Sequence, residues 1–346
     1  MSLVLSKKTK NIKSKGLKGK ENSEINQIEV ETYDYHNPVL FDECLDNLIT
    51  KKDGIYLDGT LGGGGHSSEI FRRLEFGGKL YSFDKDPEAI KHCTEKYESL
   101  FAINSPKWEL INKCYSTALS IEHIQGKVNG FLLDLGVSSH QIDTANRGIS
   151  YRFDAPLDMR FGPEGITAKD LLHNLEESEI ERILRIYGEE PFSRVIARRL
   201  VEKRRALLLN TVSDLRDVIE KSVPKHLLIK TLSRVFQAIR ISVNRELEVL
   251  ENTLTNLVPL FDKGGRIVVL TYHSLEDRIT KNVLKELCKD KIPATEAEDL
   301  QYSNFIKIQP KFKLINKEPI LPSDEELAKN PRSRSAKLRI AEKVGE

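Results

Sequence analysis

Apolar residues in this chain come in short runs that alternate with helix-spaced patterns. Leu40, Cys44 and Leu48 mark one face of a short helix. Ile55-Tyr56-Leu57-Asp58 is an apolar run closed by a carboxylate, and after a set of glycines Ile70, Phe71 and Leu74 return at helical spacing. Lys79-Leu80-Tyr81-Ser82-Phe83-Asp84 repeats the plan, with a helix through Ala89, Ile90 and Cys93 behind it. Trp108 to Asn112 reads as a third strand. Gly130-Phe131-Leu132-Leu133-Asp134-Leu135-Gly136-Val137 reads as a fourth, apolar enough to be buried on both faces. Strands alternating with helices at this pace predict an α/β fold with a doubly wound, mostly parallel sheet.

From about Asp143 to about Ser233 the strand pattern stops. Three helix starts of the form Ser/Thr-x-x-acid take its place: Thr167 with Asp170, Ser178 with Glu181, and Thr211 with Asp214. Residues 143–233 are therefore expected to form an inserted all-helical domain, between the two parts of a sheet domain at 35–142 and 234–346. Phe236, Ile239, Val243, Leu247, Leu250, Leu254 and Leu257 predict one long helix packed on the sheet, stopped by Gly264-Gly265. Arg266 to His273 returns to the sheet. Phe305 to Ile308 and Phe312 to Ile315 are candidates for closing antiparallel strands, and Lys289 to Ser303 reads as loop.

Composition changes this picture at the start of the chain. Residues 1–34 lack a sustained period, and the first 20 hold seven Lys and no acid, as in a solvated basic tail. The rest of the chain carries 47 basic and 52 acidic residues, so any nucleic-acid surface on the folded part must be local. No apolar run approaches the roughly 20 residues of a membrane span. Cys44, Cys93, Cys114 and Cys288 are scattered without a C-x-x-C pair, which points away from a metal site or disulfide framework and toward a cytoplasmic setting.

The chemistry concentrates in Asp58-Gly59-Thr60-Leu61-Gly62-Gly63-Gly64-Gly65-His66-Ser67. A strand, a loop without Cβ atoms and a helix start are the parts of a nucleotide-binding turn. His66 stands where a phosphate loop would have Lys, and an acid at the loop mouth repels pyrophosphate but suits a sulfonium. Asp84 lies about 20 residues on, where a ribose diol is held. Asp134 ends the fourth strand on the same rim. The two acids Asp58 and Asp84, a glycine loop and no phosphate-binding Lys favour S-adenosylmethionine over NAD or ATP. Asp134 or the backbone carbonyls of Leu135 to Val137 can accept a hydrogen bond at this rim, with Ser138 and Ser139 beside them. His273, with Ser274, Glu276 and Asp277 beside it, reads as a hydrogen-bonded loop histidine in preference to a general base.

Several stretches together resemble one family: Asp58 to His66, Asp134-Leu-Gly-Val-Ser-Ser139, Pro156-Leu-Asp-Met-Arg160, Phe236-Gln-Ala-Ile-Arg240, Asn244-Arg-Glu-Leu247, His273 to Arg278 and Asn330 to Ser335. The chain is similar to the bacterial 16S rRNA cytosine-N4 methyltransferases known as RsmH or MraW, from about His36 to about Ala341. The resemblance implies a class I, Rossmann-like methyltransferase fold and transfer from S-adenosylmethionine to N4 of one cytidine in the decoding region of the small subunit. It implies that Asp58, Gly63, Gly64, Gly65, His66, Asp84, Tyr115, Asp134 and Gln141 surround the cofactor, Asp84 at the ribose and Tyr115 at the adenine. His140 departs from the family's usual Pro, Tyr115 from its usual Phe, and the basic tail has no counterpart. Arg198, Arg199, Arg204 and Arg205, within a stretch of eight basic and three acidic residues from Arg182 to Arg205, and Arg332 and Arg334, grouped with Lys337 and Arg339, are candidates for gripping RNA. The oligomeric state stays open, a homodimer included. Three rivals remain: an NAD-dependent dehydrogenase, an RNA-binding assembly factor on the same fold, and a methyltransferase for another acceptor.

Overall fold

The computed structural model describes residues 38–293 and 305–345. The basic tail at 1–34 and most of the expected loop at 289–303 lie outside the described residues. The strands are β1 (Ile55–Asp58), β2 (Lys79–Phe83), β3 (Lys107–Ile111), β4 (Val128–Asp134), β5 (Phe261–Thr271), β6 (Lys291–Pro293), β7 (Phe305–Lys307), β8 (Phe312–Leu314) and β9 (Lys337–Lys343). Seven of them form one sheet in the order β3-β2-β1-β4-β5-β9-β8, parallel from β3 to β5. β9 runs antiparallel to β5, and β8 antiparallel to β9. Strand order reverses between β1 and β4, and at such a switch the loops at the carboxyl ends diverge and leave a crevice.

Side chains alternate across the sheet as a two-residue period requires. Tyr56, Leu132 and Val268 face a layer that includes α1 (Phe41–Leu48), α2 (Gly65–Arg73) and α3 (Pro87–Lys96). Leu57, Phe131 and Val269 face the opposite layer. After the one-turn α4 (Ser139–Asp143), the insert contributes α5 (Ala168–Asn174), α6 (Glu177–Tyr187), α7 (Ser193–Arg205) and α8 (Val212–Glu220). These helices have a core of their own, through Leu171, Leu184, Ile196, Leu200 and Leu215. Capping boxes form at Thr167 with Asp170 and at Thr211 with Asp214. The third expected start is displaced: Glu176 and Glu179 cap α6, and Ser178 lies inside it.

The long helix expected after the insert is two helices, α9 (Leu228–Asn244) and α10 (Glu246–Asn256). Arg245 between them is left-handed, with φ 53° and ψ 36°. Asn244 holds the break: its Oδ1 accepts from Phe161 N–H at 2.9 Å, and its Nδ2 donates to the Met159 carbonyl at 2.8 Å. Arg240 spans the break with a two-pronged contact to Glu246, at 2.8 and 3.0 Å. The first half, through Leu232, Val235, Phe236 and Ile239, therefore belongs to the helical core, while Leu250 and Leu254 pack on the sheet. Gly264 and Gly265 fall inside β5, where the pairing with β4 shifts register.

Of the two expected closing strands, only Phe312–Leu314 joins the main sheet; Phe305–Lys307 pairs with β6 in a separate ribbon. β9 was hidden by its charges. Asp277, in the first turn of α11 (Ser274–Leu287), accepts from Arg339 Nε at 2.7 Å and Lys337 Nζ at 3.1 Å. These two cations tie a helix to a strand, with Arg339 buried and Lys337 partly exposed. No described helix is long and apolar enough to cross a membrane. Asp277→Ala leaves Arg339, itself 7% exposed, without its counter-charge. The expected loss is about 3 kcal/mol of unfolding free energy, measured by urea denaturation.

Candidate active site

The carboxyl ends of β1, β2 and β4 border a cavity of about 490 Å³, within the usual range for a small-molecule site. Its sheet side includes Thr60, Gly62, Gly63, Gly65, His66, Asp84, Tyr115, Asp134, Ser138 and Gln141. Gly62 and Gly64 take positive φ, 50° and 77°. A Cβ on Gly64 would lie 2.5 Å from the Tyr97 ring, so the loop is pressed against α3 and its flank, and a side chain does not fit there. Tyr97 OH donates to the Gly63 carbonyl at 3.3 Å and Cys93 Sγ to the Gly62 carbonyl at 3.4 Å. Pinning these carbonyls on the α3 side fixes the loop's path over the strand ends.

The three strand-end acids have different fates. Asp58, 1% exposed, does not line the cavity. It accepts from Thr60 N–H at 3.0 Å and Ser67 Oγ at 2.6 Å, and behind Ser67 stand Ser82 Oγ at 2.7 Å and the Trp108 Nε1–H bonded to Ser82 at 2.8 Å. Each hydroxyl in that line accepts one bond and donates the next, so all the donors converge on Asp58. Its hydrogen bonds anchor the glycine loop and α2 from below, behind the residues that line the cavity. Asp84 does reach the cavity. Its Oδ2 accepts from Gly62 N–H and its Oδ1 from Asp86 N–H, both at 2.9 Å, and burial lifts its pKa to about 6. Carboxylate oxygens held this way at the end of β2 suit a ribose diol.

Asp134 is the third. Its backbone N–H donates to Thr60 Oγ1 at 2.8 Å, its Oδ1 accepts from Tyr272 OH at 2.8 Å, and its Oδ2 lies 3.5 Å from His66 Nδ1. Burial is the main force that raises its pKa to about 7, opposed by the tyrosine hydrogen bond and helped by the charges of Asp58 and Glu276. His66 is pushed down to about 4 by burial, and its Nε2 has no hydrogen-bond partner among the described residues. The imidazole beside Asp134 is therefore neutral at neutral pH, and the contact is not an ion pair.

The other expected residues fall into groups. Tyr115 lines the cavity, and its Cβ would meet a Cβ on Gly59 at 2.9 Å, so the glycine there makes room for it. Ser138 and Gln141 both line the cavity and form the capping box of α4, Ser138 Oγ accepting from Gln141 N–H and Gln141 Oε1 from Ser138 N–H, each at 3.1 Å. Ser139 is the first residue of α4. His273 is the N-cap of α11: its Nδ1 accepts from Glu276 N–H at 3.4 Å. Arg198, Arg199, Arg204 and Arg205 lie on α7, away from the cavity. Arg204 donates to the Leu172 and Leu175 carbonyls at 2.6 and 2.5 Å, closing the end of α5. Arg332 stands at the cavity, 3.5 Å from Asp143, and Arg334 is exposed.

The insert side of the cavity was not anticipated. Phe161, the α9 residues Gln237, Arg240 and Asn244, and Glu246 at the start of α10 line it, while Tyr272, just past the end of β5, lines the sheet side. Most of them sit in stretches that carry the family resemblance, but nothing local to those stretches says that they face a crevice thirty to two hundred residues away in sequence.

Folding raises the Asp134 pKa above its ordinary value of 3.8, so the folded state binds that proton more tightly than the unfolded chain. Stability from this group is then present at low pH and is lost as pH rises from about 4 to about 7. Asp134→Asn removes the titration. We expect the variant to be more stable than wild type at pH 8, by roughly 1–4 kcal/mol, with the gap closing toward pH 4. Urea unfolding of both proteins across that range measures it.

Residues 34–344 match the profile of the MraW methylase family. A Fusobacterium nucleatum protein named ribosomal RNA small subunit methyltransferase H is 41% identical over 319 residues, covering 90% of this chain and 98% of its own. Proteins of the same name from Clostridium botulinum (strain Okra) and Clostridioides difficile (strain 630) are 44% and 42% identical, covering 89% and 90% of this chain and 99% of their own.

Proposed function

This chain belongs to the MraW methylase family, and from that premise we propose that it is an S-adenosylmethionine-dependent methyltransferase of small-subunit ribosomal RNA, acting at N4 of one cytidine. The observation that carries the reading is Asp134, a half-dry carboxylate in a cavity bordered by a glycine loop and by Asp84. S-adenosylmethionine supplies an electrophilic methyl group on a sulfonium. The residues present fit it: Asp84 for the ribose hydroxyls, the Tyr115 ring for the adenine, and the loop at Gly63 to Gly65 with His66 where the backbone must come close.

The protein's own contribution is placement and proton handling. A cytosine N4 amine is conjugated with its ring and is a poor nucleophile. Asp134 would accept a hydrogen bond from that amine through a carboxylate oxygen and take its proton, the new N–C bond replacing the sulfonium's S–C bond and leaving a neutral thioether. Tyr272 and Thr60 keep Asp134 from turning away. Holding both partners in line contributes several kcal/mol to lowering the barrier. Ser138 has its hydroxyl engaged in the α4 cap, so its part is to shape the rim. The acceptor is 16S rRNA or the small subunit containing it, and this reading supports a cytoplasmic protein acting in ribosome assembly.

Asp134→Ala should abolish methyl incorporation into small subunits from cells lacking the protein; near-normal incorporation would remove Asp134 from the mechanism. The ionised form is the working form, so kcat/KM of the wild type should rise with pH and level off above about 7. Mass-spectrometric mapping of modified nucleotides, with and without the gene, tests the site: a missing methyl at N4 of a single cytidine is expected, and an unchanged 16S rRNA would overturn the reading.

A further inference from the structure

The loop from Pro156 to Phe161 carries one of the family-like motifs, yet neither the cofactor nor the proton step explains it. It ends by delivering Phe161, half-buried, to the insert side of the cavity. The backbone of Phe161 is held at both its polar groups by side chains from elsewhere. Its N–H donates to Asn244 Oδ1 at 2.9 Å, and its carbonyl accepts from Arg147 Nη1 at 3.4 Å.

Both holders are themselves fixed. Asn244 Nδ2 donates to the Met159 and Arg240 carbonyls, at 2.8 and 3.0 Å. Arg147 Nη2 reaches both carboxylate oxygens of Asp86, at 2.7 and 2.8 Å, and Glu88 at 2.8 Å. Asp86 is 1% exposed, and its N–H donates to Asp84. Through these bonds the loop bearing Phe161 is tied to the acid assigned to the ribose. Met159, two residues before it, is in the left-handed region at φ 63°, a strained setting for a residue other than glycine.

The remaining aromatics of the cavity have other work. Tyr272 is bonded through its hydroxyl to Asp134, and Tyr115 lies against Gly59 at the strand ends. Phe161 has no polar side-chain group, and the same cavity is lined by Gln237 and by the Arg240–Glu246 pair. A flat apolar face bordered by donors and acceptors is what an unstacked pyrimidine needs, because its faces want a ring and its edge wants hydrogen bonds. We propose that Phe161 is the stacking platform for the target nucleobase, mounted by Asn244 and the Arg147–Asp86 pair. This rests on the reading of the protein as an RNA methyltransferase.

The test uses the full-length protein and small subunits purified from cells that lack it. Phe161→Leu keeps apolar bulk for the neighbouring helical core but removes the ring; Phe161→Tyr keeps the ring. Removing one base–aromatic stack should lower kcat/KM and the affinity for subunits, read in the presence of S-adenosylhomocysteine, by roughly five- to a hundred-fold. Affinity for S-adenosylhomocysteine and the unfolding midpoint should hold, and Phe161→Tyr should restore both losses. Wild-type efficiency in Phe161→Leu, or equal impairment in both variants, or a parallel loss of S-adenosylhomocysteine binding, overturns the platform. Should the wild type bind subunits but transfer no methyl to them, the functional reading fails, and the subunit-affinity comparison still decides whether the Phe161 ring contributes.

Discussion

A carboxylate kept partly out of water at the end of a buried strand sets the terms for the rest of this molecule. Asp134 can stay there only because its surroundings are complete: a tyrosine hydroxyl on one oxygen, a neutral imidazole near the other, and a threonine hydroxyl under its amide. Burial opposes its charge more than those bonds favour it, which is why its pKa settles near neutrality and not in the ordinary carboxylate range. Such a group is poorly suited to stabilising a fold and well suited to accepting a proton. A cationic cofactor beside it would favour the charged form and relieve part of the cost.

The two other strand-end acids support that arrangement by division of labour. Asp58 faces down into a line of hydroxyls that ends at an indole, and so stiffens the loop that the cofactor must approach. Asp84 faces up into the cavity with both oxygens aimed by backbone amides. The same residue type at the same place in three parallel strands does three jobs, according to what lies above and below it.

The insert is more than an appendage. Its core takes in the first half of the helix that leads back to the sheet, and the left-handed turn at Arg245 redirects the chain between the two cores. Asn244 and Arg240 sit at that turn and also at the cavity, so the joint between the two cores and the insert side of the cavity are built from the same residues. Arg147 closes the arrangement from the other side through Asp86.

Local pattern was enough for the alternation of strands and helices, for the glycine loop, for the caps at Thr167 and Thr211, and for the helical, strand-free stretch between β4 and β5. Each of these depends on neighbours within one or two turns of chain, so the sequence by itself determined them. Local pattern also led to one helix where two exist, because apolar spacing carries no mark of a single left-handed residue whose cause is a loop eighty residues earlier. It hid β9, whose cations look free until Asp277 is set against them. Which way Asp58 points, that Arg204 meets the end of α5, and that Phe161 meets Asn244 at all were decided by tertiary structure alone. The physical reason is common to all three: a polar side chain settles on whichever partner folding brings within about 3 Å, and that partner lies far away along the chain.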